Sequence, residues 1–282
     1  MKSTRLGKYH HLTIVIKYGV CALLLILSIL PFWILIVNAT RSTEQIQQGF
    51  SMVPSIYMGY NYDILTSKGF NIIRGFSNSL SISVSVTFLC LYFSALTAYG
   101  LVIYDFKGRK FIFALIAFIL MVPAQISFIG FYQMVLRVGL TDNYIPLIFP
   151  AIASPATVFF LRQYLLATFP KDLVAAARID GANEMKTFHR IAMPILKPAL
   201  ATMGIFTFVG SWNNFLTPLM LISTQEKYTL PMLVQLLKAD IYRTELGGIY
   251  LGVTMTIIPL LIIYLILSKY IIAGVALGGV KE

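Results

Sequence analysis

The segment 170–198 reads Pro-Lys-Asp-Leu-Val-Ala-Ala-Ala-Arg-Ile-Asp-Gly-Ala-Asn-Glu-Met-Lys-Thr-Phe-His-Arg-Ile-Ala-Met-Pro-Ile-Leu-Lys-Pro and has more sequence character than any other part of the chain. Pro170 suits a first helical turn, and Asp172 complements the positive end of the helix dipole. Ala175, Ala176 and Ala177 favour helix, Gly181 suits the left-handed residue that ends it, and Asn183 can cap a second helix. Met185, Phe188, Ala192 and Ile195 follow at three- and four-residue spacing, which predicts one apolar face. Pro194 and Pro198 then mark the start of the next apolar run. Two chemistries are open to such an elbow: docking onto another protein, or lying on anionic lipid headgroups through Lys171, Arg178, Lys186 and Arg190.

A second set of residues has groups suited to a sugar. Trp212, Asn213 and Asn214 stand together, and Gln125 and Ser127 follow Pro123. Aromatic faces pack on the apolar faces of sugar rings, while amides and hydroxyls pair with sugar hydroxyls. The other reading of Trp212 and Asn213 is packing between helices or at a membrane interface. No Gly-x-x-x-x-Gly-Lys-Ser/Thr loop occurs, so the chain has no usual cradle for ATP phosphates. No catalytic constellation stands out: His10 and His11 lie in a basic N-terminal stretch, and His189 reads as a surface residue of the elbow. Cys21 and Cys90 have neither metal-ligand spacing nor a disulfide framework, so no metal is expected.

These residues must be positioned by elements that the composition makes unusual. Of 282 residues, 58% are hydrophobic and 12% charged, where a soluble protein carries about 25% charged residues. That excludes an ordinary soluble domain, and with it a nucleic-acid binder, despite a formal charge of +11. Six windows are free of Asp, Glu, Lys and Arg and about long enough to span a bilayer: 18–40, 75–104, 111–136, 143–161, 198–225 and 246–268. The fourth is the shortest and carries Pro146, Pro150 and Pro155. A seventh uncharged run, 45–62, is rich in Gln, Ser, Gly and Tyr and reads as loop. The first window is too long for the hydrophobic region of a signal peptide, which has roughly 7–15 residues, so a span is expected there.

Alternate segments between the windows hold 15 of the 22 positive charges and 5 of the 11 acids, a net +10 against +1 in the opposite set. The positive-inside rule places the richer set in the cytoplasm, with both termini. The expectation is an all-α membrane protein of six transmembrane helices in the cell membrane. It divides into a cytoplasmic N-terminus 1–17, a six-helix transmembrane domain 18–273 with a cytoplasmic loop 162–197, and a cytoplasmic tail 274–282. The windows contain essentially no ionisable group away from their ends, whereas ion-coupled carriers keep such groups in mid-membrane. A pathway for a neutral, polyhydroxylated solute, driven by an external motor, fits better.

The elbow resembles the cytoplasmic loop of ABC-importer permeases, which is named for Glu-Ala-Ala followed by Asp-Gly-Ala. Asp180-Gly181-Ala182, Phe188, Ile191, Pro194 and Pro198 stand at the matching spacings. Ala175 occupies the position of the naming glutamate, so the polar contact made by that glutamate is missing, with Asp172 or Arg178 as substitutes to consider. Pro31-Phe32-Trp33, Asn78-Ser79-Leu80, Ala98-Tyr99-Gly100 and Ser211-Trp212-Asn213-Asn214-Phe215 with Pro218-Leu219 are similar to carbohydrate permeases. Gly278-Gly279-Val280-Lys281-Glu282 resembles the end of the smaller permease subunit of maltose-type importers.

The resemblance implies a type I importer permease fold and half of a pathway for carbohydrate, with an oligosaccharide the expected solute. It implies partnership with a second homologous permease, two ATPase subunits and an extracytoplasmic sugar-binding protein, in contact with membrane lipid and not nucleic acid. ATP and Mg belong to the ATPase partners; this chain is not an enzyme and holds no cofactor. Asp172, Ala175, Ala176, Asp180, Gly181, Ala182, Phe188 and Pro194 would couple the chain to the ATPase, and Gly278, Gly279, Val280 and Lys281 would reach the ATPase interface. By the same resemblance the loop around 223–247 meets the binding protein; its residues alone are equally consistent with a short lid helix. Rival readings are a permease for glycerol-3-phosphate or a related solute, which would need a cation in the pathway, and an ion-coupled secondary carrier.

Overall fold

A computed structural model describes residues 3–67, 69, 71–170, 172–238 and 245–279. Every regular element among them is helical. In chain order the α-helices are α1 (Ser3–Ala39), α2 (Thr43–Gln47), α3 (Met58–Ser67), α4 (Ile72–Ile103), α5 (Arg109–Ile119), α6 (Ala124–Val138) and α7 (Ile145–Ile148). There follow α8 (Pro155–Thr168), α9 (Asp172–Ile179), α10 (Glu184–Thr187), α11 (Met193–Asn213), α12 (Leu216–Leu221), α13 (Leu230–Lys238) and α14 (Leu246–Gly279). Among the described residues, four stretches are helical, long and apolar enough to cross a bilayer: Thr13–Ala39, Ile72–Ile103, Ile145–Thr168 and Glu184–Asn213. The apolar helical stretches Ile126–Val138 and Leu246–Pro259 are shorter.

Several expected boundaries move, each for a local reason. The window 111–136 is two helices. Pro123 has no N–H to continue the ladder and sits in extended backbone, while Met121 and Val122 close α5 with tight bonds to the carbonyls of Phe118 and Ile119. In the window 143–161 the prolines leave a short α7, a 3-10 turn over Phe149–Ile152 and a fresh start at Pro155, and α8 then runs on to Thr168. The run 45–62 is not all loop. Ser42 and Gln45 form a reciprocal capping box that starts α2, and α3 begins at Met58. Helix also extends on both sides of Pro194 and Pro198, because a π turn over Phe188–Ala192 joins α10 to α11. The helix that carries the fifth window therefore begins ahead of it, at Glu184, and stops at Asn213.

The chain forms two compact units. One comprises residues 1–71 and 234–257. Its α1 exposes apolar side chains such as Leu23, Leu25 and Ile26 around the helix, as a helix surrounded by lipid or protein does. Near the end of α1 the fully buried Asn61 donates Nδ2 to the carbonyls of Ala39 (2.8 Å) and Arg41 (3.0 Å), filling acceptors that the terminating helix leaves free. The buried Arg41 guanidinium donates to Asn38 Oδ1 and to the carbonyls of Gly49 and Gln45. Gly247 lies directly on Asn61 and on the Arg41 carbonyl, so close that a Cβ has no room there.

The other unit comprises residues 72–233 and 258–282. Here α4 packs mainly on α11 and α8. Ala95 and Ala98 of α4 and Ala192 and Ala199 beside them are buried, and small residues at these positions let helix backbones approach closely. Tyr99, Val102, Leu161, Leu165, Phe169, Val174, Phe188 and Leu196 complete the core. A second feature ties the 221–230 segment to the turn after α6. Asp142, at φ 55, accepts Ser223 N (3.0 Å) and Thr224 N (2.9 Å) on Oδ1, and Thr224 Oγ1 and Lys227 Nζ (2.7 Å each) on Oδ2. Lys227 and Thr224 hold this carboxyl well below the usual carboxylate range. Asn78 Nδ2 donates to the carbonyls of Glu226 and Tyr228, and Ser79 Oγ accepts the Leu230 amide, so α4 grips the same segment. Leu230 and Leu233, at the start of α13, pack on Gly75, as in the lid-helix reading of the 223–247 loop.

Candidate functional site

The elbow is a closed structural unit. In α9, Val174 and Ala177 face the core, while Asp172, Ala175 and Ala176 lie on the exposed side. Gly181 adopts φ +72, its N–H bonds to the Arg178 carbonyl (3.1 Å), and the Ala182 N–H bonds to the Ala177 carbonyl (2.9 Å). This is the paired closure by which a left-handed glycine ends a helix. Asn183 then caps α10, its Oδ1 accepting Lys186 N at 2.8 Å. Asp180 is exposed, and Lys171 lies outside the described residues.

Phe188 anchors the elbow. It is fully buried, with its ring 5.4 Å from that of Tyr99 and 6.2 Å from that of Tyr92. The buried stripe runs through Phe188, Ala192, Leu196 and Ala199, with Ile195 half-buried at its edge. Met185, expected on this face, points outward. The π turn widens the helix by extra residues and shifts the register of the side chains beyond it, which no α-helical spacing rule anticipates. Pro194 is exposed. Met185, together with Leu173 and the 86%-exposed Ile179, gives the elbow an apolar outer surface.

An ionic contact that local spacing could not disclose locks the two arms. Arg178 Nε donates to Glu184 Oε1 at 2.8 Å, and Tyr104 Oη, just past the end of α4, donates to Glu184 Oε2 at 2.5 Å. The Arg178 bond, then the Tyr104 bond, hold the Glu184 carboxyl below its ordinary value, and Glu184 in turn raises the Arg178 guanidinium. Arg178 is thus engaged within the elbow.

The residues expected to meet a sugar do not gather in one place. Trp212 is 1% exposed, stacked on Phe208 and edge-on to Phe76, so it packs between helices. The space it lines with Ser79, Ser83 and Thr229 measures about 20 Å³, far too small for a sugar ring. Asn213 is exposed, and Asn214, just ahead of α12, accepts the Thr217 amide on Oδ1 and donates Nδ2 to Thr217 Oγ1. Ser127 instead lines a cavity of about 890 Å³, together with Cys90, Ser154 and Thr207. The Gln125 side chain, Val280 and Lys281 lie outside the described residues; the backbone of Gly278 and Gly279 ends α14. Among the described residues no group of His, Cys, Asp and Glu could hold a metal.

Comparison with known proteins gives a consistent pattern. The family described as "Binding-protein-dependent transport system inner membrane component" matches residues 91–276. The arabinooligosaccharides transport system permease protein AraQ of Halalkalibacterium halodurans is 37% identical over 263 residues, covering 92% of this chain and 94% of that protein. The lactose transport system permease protein LacG of Rhizobium radiobacter is 29% identical over 275 residues, covering 95% and 96%. Among solved structures, a chain of a bacterial ABC transporter involved in the import of the acidic polysaccharide alginate superposes with a TM-score of 0.80. That match has 21% identity and covers 93% of this chain and 97% of the other, and it shows a shared fold.

Proposed function

Because the chain belongs to the family of binding-protein-dependent transport system inner membrane components, we propose that it is the smaller permease subunit of an ATP-driven importer for oligosaccharide. It forms half of the pathway beside a second, homologous permease. Two ATPase subunits bind ATP and Mg on the cytoplasmic side, and a sugar-binding protein delivers solute outside. The chain crosses the membrane six times, with both termini in the cytoplasm. Residues 1–17 and 274–282 are cytoplasmic, 18–273 form the permease domain, and the Gly278–Lys281 stretch reaches the ATPase interface. The charge asymmetry of +10 against +1 supports this orientation; in it the Asp142–Lys227 knot lies outside, within the segment proposed to receive the binding protein.

The observation that carries the reading is the elbow. It is capped at both arms and locked by Glu184, and it is anchored by Phe188 with apolar side chains outward. A rigid, apolar-tipped projection suits a cleft on a moving partner better than a flat lipid surface. Closure of the ATPase dimer then displaces Asp172–Pro194 as one body and rocks the attached helices between inward- and outward-facing states. Names of relatives that carry arabinooligosaccharide and lactose support the solute class.

The test is a reconstituted importer carrying Gly181→Glu, which places a charged side chain at a left-handed position on the exposed turn. The expected result is ATP hydrolysis that no longer responds to the loaded binding protein, with uptake lost and membrane insertion intact. Normal uptake by this variant, or uptake by the wild-type chain without ATPase partners, would overturn the assignment.

A further inference from the structure

Two interruptions of helical backbone meet at one cavity. Leu120 and Val122, from the break between α5 and α6, line it on one side. Pro150, Ala151, Ala153 and Ser154, from the irregular turn before α8, line it on another. Pro123 and Pro155 supply no amide proton at these breaks. Backbone that leaves the helical ladder at membrane depth persists only where protein covers it or where it borders a water-filled cavity. Secondary transporters commonly form their binding sites at such breaks.

Across this cavity runs a chain of small polar groups drawn from three helices. Ser154 Oγ lies 2.9 Å from Thr157 Oγ1, which lies 3.3 Å from Cys90 Sγ, which lies 3.7 Å from Thr207 Oγ1. The two inner members are buried at 2% exposure, while the two ends are part-exposed and line the cavity. A hydroxyl both donates and accepts, and it rotates to suit its partner. Both ends of the chain can therefore reverse their polarity together, as sugar hydroxyls require. Val86, Pro150 and Ala156 supply aliphatic surface, and none of the described lining residues is Asp, Glu, Lys or Arg. At about 890 Å³ the cavity lies in the range of small-molecule sites, roughly 300–1,000 Å³.

We propose that this cavity is a subsite for a neutral sugar unit contributed by this chain, with Ser154 and Thr207 as its hydrogen-bonding ends and Ser127 beside them. The assignment rests on the carbohydrate-importer reading above. It moves the solute contacts from the Trp212 region to the broken helices, and it disfavours a phosphorylated solute, which would leave its charge unpaired.

The test uses the complete importer in proteoliposomes, with arabinotriose and lactose as probes. Ser154→Ala and Thr207→Val are each expected to raise the KM for uptake about three- to tenfold, the loss of one hydrogen bond. The affinity of the binding protein for sugar should not change. In parallel, a Ser154→Cys variant is treated with a cationic methanethiosulfonate and with a lipophilic maleimide, and mass spectrometry separates the label from Cys21 and Cys90. Reaction with the cationic reagent, slowed by sugar during turnover, supports the subsite. Reaction with the lipophilic maleimide alone means that lipid fills the cavity and overturns it. Reaction only in the isolated chain means that the partner permease fills it, which also overturns it. Normal uptake with no change in either alanine or valine variant would refute the subsite alone. No uptake of either sugar by the unsubstituted importer would refute the carbohydrate reading and the subsite with it.

Discussion

Replacing Tyr104 by phenylalanine removes one oxygen from the chain, yet it should loosen the elbow. The hydroxyl donates at 2.5 Å to a carboxylate that Arg178 also holds. Hydrogen bonds to charged groups contribute about 1.5–3 kcal/mol. Glu184 is 44% exposed, so water replaces part of the lost bond, and a net cost near 1 kcal/mol is expected. One kilocalorie is about a fivefold change in an equilibrium, so the detached elbow becomes about fivefold more populated. Because the lesion is at the joint between arms, it should appear as fewer sugars imported per ATP hydrolysed, with only a small fall in Tm. Glu184→Gln keeps the shape of the side chain but discards the charge, and it should lower the coupling ratio further. The pair tests itself by a double-mutant cycle. If Tyr104 acts through Glu184, Tyr104→Phe adds little in the Glu184→Gln background. Fully additive losses would refute the shared bond, and unchanged coupling in both variants would refute the lock. The pH dependence has a definite sign. Glu184 is shifted below its ordinary value, first by Arg178 and then by Tyr104, so its contribution is complete above the free glutamate value of about 4.3. It is lost as pH falls through the lower native value. The difference between wild type and Tyr104→Phe should hold steady from pH 8 to about pH 5 and shrink only in stronger acid.

Three further perturbations concern positions where backbone or charge leaves little choice. At Gly181 a Cβ would meet nothing within 4 Å, so the constraint is φ +72 alone; Gly181→Asn should couple better than Gly181→Ala, which costs about 1–2 kcal/mol in the left-handed region. At Gly247 the constraint is space, and Gly247→Ala should lower stability by roughly 1–3 kcal/mol, read as detergent-solubilised Tm. Asp142→Ala should lower Tm more than Lys227→Met, because it strips acceptors from two backbone amides as well as from the ammonium. The Asp142 carboxyl is lowered in the folded state, so its stabilisation is full above about pH 3.9 and disappears as pH falls through the native value; a wild-type advantage that grows on acidification would contradict this.

What the sequence made legible was whatever is settled within one turn of helix. Gly181 and Asn183 end and restart a helix through bonds that span three to five residues, and their residue types announce them. Four of the six long windows were equally readable, since length and lack of charge need no knowledge of partners. Lack of charge is blind to backbone continuity, however. The window 111–136 kept its hydrophobic character straight through Pro123, although the chain there stops being helix. Periodicity held at Phe188 and Ala192 but failed at Met185, which is exposed, and beyond the π turn, where Leu196 rather than Ile195 is buried because that turn changes the period the pattern assumes. The lock and the Asp142 knot join residues too far apart for any local rule: Tyr104 to Glu184, and Asp142 to Lys227. Trp212 shows the converse hazard. Its neighbours Asn213 and Asn214 suggested a sugar, but the indole fills the space between helices.

The elbow and the proposed sugar subsite share a continuous helix, Glu184–Asn213. From Phe188 to Thr207 it spans about 28 Å at 1.5 Å per residue. Neither Pro194 nor Pro198 breaks it, so there is no loose joint in which a displacement of the elbow could dissipate. A tilt of roughly 10° about the Phe188 end would carry Thr207 some 5 Å, about one helical pitch. That is enough to separate Thr207 from Cys90, which lies 3.7 Å away on a different helix, and so to open the polar chain at one end. On this geometry the arm proposed to dock on the ATPase also bears a hydroxyl that would meet the solute. Motor stroke and change in solute affinity would then be two ends of a single rigid-body movement, with Tyr104 and Glu184 keeping the driven end from slipping.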